Sequence, residues 1–238
     1  MARPSASIWR WIILTVVGLF VALFLLVLVV EPEDVPETAA TEFAALVAKA
    51  SAGDPVAQFK VAGYHARGEG VAQDLTEAAK WLLLSAQQGY APAQNNIAVC
   101  YATGAGVVKD LTQAIAWIRK SADQGYARAQ CYLGLSFAKG EGVPRDQAQA
   151  IEWFRKSAAQ GFPDALNHLG YCHSQGRGVP KDEVEAFACW SIAARSHEGA
   201  ARNLALLEKK LPEEMRLRGE QRAAELLRQI GAPKVKGS

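Results

Sequence analysis

The chain has 238 residues, 50% hydrophobic and 21% charged, which is enough for a sizeable core. Its 26 basic and 24 acidic residues leave a formal charge of +2, a balance that points to neither nucleic acid nor an acidic substrate. The placement of charge says more. Arg3 and Arg10 precede residues 11–30, which carry no charge at all, and Glu31, Glu33, Asp34 and Glu37 follow, with no base until Lys49. A spanning helix needs about 20 apolar residues. Residues 11–30 therefore read as a transmembrane signal anchor behind a short N-terminus, 1–10, with Trp9 and Trp11 at the interface. A cleaved signal peptide is the alternative. Its apolar core is shorter, about 7–15 residues, with a small-residue site close behind. Here Glu31-Pro32-Glu33-Asp34 follows directly. Bases before the span and acids after it predict an N-terminus inside and an exported body. An acidic, Pro-bearing linker (31–40) leads to a capping helix, 41–52.

From Gly53 onward the landmarks recur every 36 residues, which divides the chain into repeats 53–88, 89–124, 125–160 and 161–196. Each begins with Gly53, Gly89, Gly125 or Gly161. Mid-repeat come the pairs Gly68/Gly70, Gly104/Gly106, Gly140/Gly142 and Gly176/Gly178, each followed by Val. Then come Asp74, Asp110, Asp146 and Asp182, next Ala78, Ala114, Ala150 and Ala186, and finally Trp81, Trp117 and Trp153, with Cys189 in the fourth tryptophan slot. A fixed period of this length is the mark of a solenoid. Each repeat reads as helix, glycine turn, helix. Ala129, Leu133, Leu135, Phe137 and Ala138 have helical spacing between two glycine breaks. Asp74-x-x-Glu77 and its three equivalents match a capping box, in which the Asp accepts from an early helix N–H and the Glu or Gln reaches back to the Asp N–H. One such hairpin cannot bury its apolar face alone, and stacking supplies the rest.

These residues, in the order small-x-x-x-Leu/Ile-small, Tyr, Gly-x-Gly-Val, Asp, Ala, Trp, Ser/Ala-Ala, Gly, resemble the Sel-one-like repeat, a relative of the tetratricopeptide repeat, over about 53–210. Departures are Val61, Gly63 and His65 in repeat one, Phe137 in repeat three and Cys189 in repeat four. The resemblance implies an all-α, right-handed α-solenoid used for protein binding, often as an adaptor or regulator in the cell envelope. Together with residues 11–30 it predicts a single-pass protein of a bacterial inner membrane, its N-terminus cytoplasmic and its repeats periplasmic.

Beyond the repeats, residues 197–230 read as C-terminal capping helices and 231–238 as a tail. Gly199–Lys210 has first-helix character, Pro212 interrupts, and the helix Glu213–Ile230 offers Ala223, Leu226, Leu227 and Ile230 to the last repeat. From Glu208 to Ser238 there are eight bases and five acids, either a solvated face or a basic partner contact.

No catalytic constellation is found. The glycine pairs lack the third glycine and the Lys-Ser of a phosphate loop. His65, His168, His173 and His197 are scattered, without metal-ligand spacing. No nucleophile stands beside a His–acid pair. Neither a cofactor nor a metal is expected. Cys100, Cys131, Cys172 and Cys189 read as buried thiols. Cys172 and Cys189 are the one pair placed to bridge, because repeat-spaced cysteines lie too far apart. In tetratricopeptide-like superhelices the first helices line the concave face. By that resemblance the candidate partner groove carries Phe59, Asn95, Cys131 and Asn167 in one slot, Gly63, Val99, Leu135 and Tyr171 in the next, and Arg67, Thr103, Lys139 and Gln175 at the end. The asparagines could bond an extended peptide backbone, and Arg67 and Lys139 its carboxylates. The expected partners are thus a protein or peptide and, through residues 11–30, a lipid bilayer. The expected function is a non-enzymatic adaptor. A cell-wall-directed or β-lactam-binding enzyme is the alternative the resemblance allows.

Overall fold

A computed structural model describes residues 39–230. Among them are eleven helices and no strand: α1 (Ala39–Ser51), α2 (Pro55–Arg67), α3 (Leu75–Gln87), α4 (Ala91–Thr103), α5 (Leu111–Asp123), α6 (Ala127–Lys139), α7 (Gln147–Ala158), α8 (Pro163–Gln175), α9 (Glu183–Ala193), α10 (Glu198–Glu208) and α11 (Glu213–Gln229). The described residues from Phe43 onward form one compact unit. The four hairpins α2/α3, α4/α5, α6/α7 and α8/α9 are the repeats, stacked as an α-solenoid.

Local chemistry sets the helix ends. Gly68, Gly104, Gly140 and Gly176 close the first helices in the left-handed conformation, as expected of glycine after a helix. Gly106 is constrained twice. Its φ is +72°, and a Cβ there would collide with the Leu75 carbonyl, where the turn of repeat two rests on the start of α3. The aspartates cap the second helices, as Asp110 does by accepting from the N–H groups of Thr112 and Gln113 at 2.9 and 3.0 Å. The reciprocal half of the capping box is absent. The N–H groups of Asp74, Asp110, Asp146 and Asp182 donate instead to the carbonyls of His65, Tyr101, Phe137 and His173. Each aspartate thus ties the two helices of its hairpin together, and its N–H has no need of the Glu or Gln.

Two sets of contacts hold the stack. The first is a size match within each hairpin. The slot Leu82, Ile118, Phe154, Trp190 grows along the chain, while the facing first-helix slot shrinks: Ala62, Ala98, Gly134, Gly170. A Cβ on Gly134 would lie 2.7 Å from the Phe154 ring, and one on Gly170 would lie 2.6 Å from Trp190 Nε1. The second set is polar and buried. Gln58 donates through Nε2 to the carbonyl of Ala50 in α1, and Gln94 and Gln130 donate to those of Ala86 and Ala122 in the preceding repeat, each at 3.1 Å. Each accepts at Oε1 from Gln88, Gln124 or Gln160 of its own repeat, at 2.7–2.8 Å. Ser85, Ser121 and Ser157, wholly buried, donate to the first carbonyls of α2, α4 and α6 at 2.6–2.7 Å. In repeat four these three slots hold Leu166, Ser196 and Ala193, and the ladder stops.

The ends are covered. Phe43, Leu46 and Val47 of α1 pack with Val61 and Trp81, and Phe43 meets the rings of Tyr64 and His65 at 5.2 and 5.7 Å. At the other end α11 lies on α9. Gly219 sits against Phe187, and Arg222 Nε donates to Glu185 Oε1 at 2.6 Å. Ala223, Leu226 and Ile230 face the core, whereas Leu227 is exposed.

The membrane expectation is corrected. Among the described residues no helix is long and apolar enough to cross a membrane. The longest, α11, has 17 residues, about 25 Å at 1.5 Å per residue, and it is studded with charge. A hydrocarbon core is about 30 Å thick. The reading of a single-pass inner-membrane protein with periplasmic repeats and a bilayer contact is therefore overturned. Residues 11–30, on which it rested, lie outside the described residues.

Gly170→Ala is expected to destabilise the protein by about 1–3 kcal/mol, because Trp190 is held by a hydrogen bond to the Asn167 carbonyl at 3.2 Å and cannot yield freely. Urea unfolding measures this. Trp190→Leu added to Gly170→Ala should be less than additive, and full additivity would show that the two residues do not share the constraint.

Candidate partner groove

The outward face of the first helices is not flat. Three recesses open along it. The first, about 260 Å³, lies between α2 and α4 and includes Phe59, Arg67 and Asn96. The second, about 290 Å³, lies between α4 and α6 and includes Val99, Tyr132, Leu135 and Lys139. The third, about 300 Å³, lies between α8 and α10 and includes Tyr171, Gln175, Asn203 and Leu206. Val99, Tyr132 and Tyr171 are 40%, 36% and 41% exposed, high for large apolar side chains. Of the twelve residues expected to form the groove, eight are therefore in recesses: Phe59, Gly63 and Arg67 in the first, Val99, Leu135 and Lys139 in the second, and Tyr171 and Gln175 in the third.

The two asparagines are elsewhere. Asn95 is 1% exposed, donates through Nδ2 to Asn96 Oδ1 at 3.0 Å, and leaves its own Oδ1 without a partner. Asn167 Oδ1 accepts from Asn203 Nδ2, one repeat later, at 3.2 Å. In the slot of Phe59, Asn95, Cys131, Asn167 and Asn203, Asn167 and Asn203 thus pair across successive first helices, whereas Asn95 is buried and bonds only within its own helix. The side chains that sequence reasoning missed, Asn96 and Tyr132, share a slot one residue further on. One residue turns a helix face by about 100°. The equal 36-residue period of both slots gave no means of choosing.

Salt bridges rim the recesses: Arg67–Glu69 at 2.7 Å, Lys139–Glu141 at 3.6 Å and Lys181–Glu183 at 2.9 Å. The hydrogen bond from Arg67 holds the Glu69 carboxyl below its ordinary pKa and raises that of Arg67. All three pairs are largely exposed and screened by water, so they are weak and exchangeable. Arg177 stacks over Tyr171 at 5.0 Å from the ring centroid.

The buried titratable groups are poor chemical agents. All four cysteines are free, and burial pushes Cys131 and Cys189 up to about 12 and raises Cys100 and Cys172. They stay protonated, whereas nucleophilic attack needs the thiolate. Among the described residues no group of three or more His, Cys, Asp or Glu is placed to hold a metal ion. His168, stacked on Phe154 at 5.1 Å, and His173 both have lowered pKa values, chiefly from burial. Asp164 opposes the shift at His168, and Glu185 and Asp182 oppose it at His173.

A stack of helical hairpins with a recessed first-helix face defines the chain as an α-solenoid repeat protein. Four consecutive segments, 55–90, 91–126, 127–162 and 163–197, match the Sel1 repeat. Together they make up more than half of the chain, which therefore belongs to the Sel1 repeat family. Its solved relatives include c5321, a protective antigen of uropathogenic Escherichia coli with an SLR fold. That protein is 30% identical, with 77% of this chain and 40% of that one covered, at a TM-score of 0.68. A Sel1 repeat protein from Oxalobacter formigenes is 34% identical, with 71% of this chain and 49% of that one covered, at a TM-score of 0.65. The chain thus spans less than half the length of either. No curated protein matches it. Sel1 repeat proteins mediate protein–protein interaction, and the family is typically a non-enzymatic scaffold.

Stability should depend on pH through the two half-buried histidines, His168 and His173. An unfolded histidine titrates near 6.5, and these folded ones titrate lower, so on acidification the unfolded chain takes up protons first. Stability is full above about pH 6.5 and falls as pH drops toward the folded pKa values. The urea midpoint should therefore decline from pH 7.5 to 5.5. His168→Tyr with His173→Phe, the residues of slots 132 and 137, should flatten that decline. A flat profile in the parent protein would contradict the assignment.

Proposed function

We propose that this chain is an adaptor or scaffold whose first-helix face holds an extended segment of a protein partner. Apolar side chains of the segment enter the recesses at Phe59, at Val99/Tyr132 and at Tyr171, and its carboxylates replace Glu69 and Glu141 at Arg67 and Lys139. The observation that carries this reading is the recurrence of recesses along stacked helices, each with an apolar side chain in its wall, exposed in the second and third, and an exchangeable cation at the rim. Stacked helices are about 8–10 Å apart, and an extended chain advances about 3.3 Å per residue. One repeat therefore reads about three residues of the partner. A groove of this kind supplies main-chain proximity for affinity and separate pockets for specificity. Three shallow recesses with weak rim pairs suit a partner that binds and leaves.

Panning the full chain against a displayed library of random peptides tests the reading. Selected peptides should share apolar residues at a spacing of about three, with acids between them. Val99→Arg with Tyr171→Arg, both at exposed positions, should weaken those peptides at least tenfold, about 1.4 kcal/mol, without lowering the unfolding midpoint. Peptides that bind the double variant as tightly as the parent would place the partner elsewhere.

A further inference from the structure

Repeat four departs from its predecessors in two inward slots, and both departures open onto one cavity. Where repeats one to three have a buried glutamine, repeat four has Leu166, and where they have tryptophan it has Cys189. Leucine cannot donate the bond that Gln58, Gln94 and Gln130 send to the preceding helix. The Ala158 carbonyl consequently lacks the side-chain donor that the carbonyls of Ala50, Ala86 and Ala122 have. Cysteine in place of an indole leaves volume unfilled. At this point lies a cavity of about 330 Å³, larger than each of the three groove recesses. Leu166 and Leu169 of α8, Cys189 of α9, and Leu226 and Ile230 with α11 enclose it, and Arg155 of α7 stands in its wall. The volume falls at the lower end of the range of small-molecule sites, about 300–1,000 Å³.

The charges in the wall are unequal. Arg222 is held by Glu185 at 2.6 Å and Glu225 at 2.9 Å. His173 is kept toward its neutral form by burial. Arg155 makes no salt bridge with any described carboxylate. Arg222 is thus neutralised by its two carboxylates, and Arg155 is the arginine of the lining left without one, beside apolar walls. A singly charged, amphipathic anion matches both features, whereas a phosphate dianion would leave the apolar walls unused. Arginine presents a planar fork that matches a carboxylate.

We propose that this cavity binds an aliphatic monocarboxylate, its chain among Leu166, Leu169, Leu226 and Ile230 and its carboxylate on Arg155. The site lies away from the first-helix groove and does not depend on the partner reading. Because α11 forms one wall, the bound acid pins the C-terminal helix onto repeat four.

The test is calorimetric titration of the full chain with sodium octanoate, with 1-octanol and sodium acetate as probes of the two halves of the ligand. Octanoate should bind saturably with a stoichiometry of one, at least tenfold more tightly than either probe, and should raise the thermal midpoint with concentration. Arg155→Gln, an exposed substitution that leaves the fold intact, should weaken octanoate at least tenfold and leave 1-octanol unchanged. Leu166→Gln, which returns an amide toward the Ala158 carbonyl and fills the cavity with a polar group, should abolish both. Val99→Arg in the groove should change neither. The proposal is overturned by any of three results: no saturable octanoate binding, octanoate no tighter than 1-octanol, or equal octanoate affinity in Arg155→Gln.

Discussion

A buried glutamine in each of the first three repeats is the tie on which the stack depends. A solenoid has no long-range closure, and every repeat is stable only through its neighbours. Apolar contact between helices is tolerant of sliding, because leucine against alanine looks much the same a turn away. A glutamine that is 4–6% exposed is not tolerant. Its Nε2 must meet a carbonyl of the preceding helix and its Oε1 the amide of its own second helix. A hydrogen bond of this kind contributes only about 0.5–1.5 kcal/mol when made, but an orphaned buried amide costs about 1–3 kcal/mol. The penalty for a wrong register therefore exceeds the gain from a right one, and the ladder sets the angle and offset at which hairpins meet. The buried serines do the same within each hairpin.

Function follows from what this ladder leaves free. With the seams between repeats filled by amides and by the tryptophans, of which Trp81 and Trp117 each bridge two clusters of the core, the first helices keep a fixed spacing. Their outward residues then form recesses rather than a continuous ridge. The recesses are pre-formed, so a partner need not pay to create them. Their rims are dressed with local base–acid pairs that keep the face soluble when empty. The same logic accounts for the burial of Asn95 and for the pairing of Asn167 with Asn203. A side chain at the contact between two first helices is committed to stacking before any ligand arrives.

Repeat four is followed among the described residues by the helices α10 and α11 rather than by another glycine-turn hairpin. Its next neighbours are α10 and then α11, which turns back onto α9 and packs Gly219 on Phe187. Its glutamine and serine slots hold Leu166 and Ala193, so neither the bond back to repeat three nor the serine bond within the hairpin is made, and the indole moves one residue along, from the slot of Cys189 to Trp190, where Gly170 makes room. The stack is thus terminated by loss of its polar ladder and gain of an apolar lid. The cavity under that lid comes from this change of rules.

Much was legible from the sequence alone. The 36-residue period, the turn glycines and the capping aspartates specify helices and their ends, because those depend on interactions within a few residues: a left-handed backbone at Gly104, or an Asp110 carboxylate reaching the N–H groups two and three residues on. The family, the all-α class and the stacking of hairpins follow from the same signals. What the tertiary structure alone decided was which residue of each helical face looks outward and which looks into a seam. Asn95 and Asn96 are adjacent, equally polar and equally periodic, yet one is buried and the other lines a recess. The difference is about 100° of rotation, set by how α4 sits between α2 and α6. That angle comes from contacts 23 to 30 residues apart in the chain, between Trp190 and Asn167 or Gln124 and Gln94, and no local pattern records it.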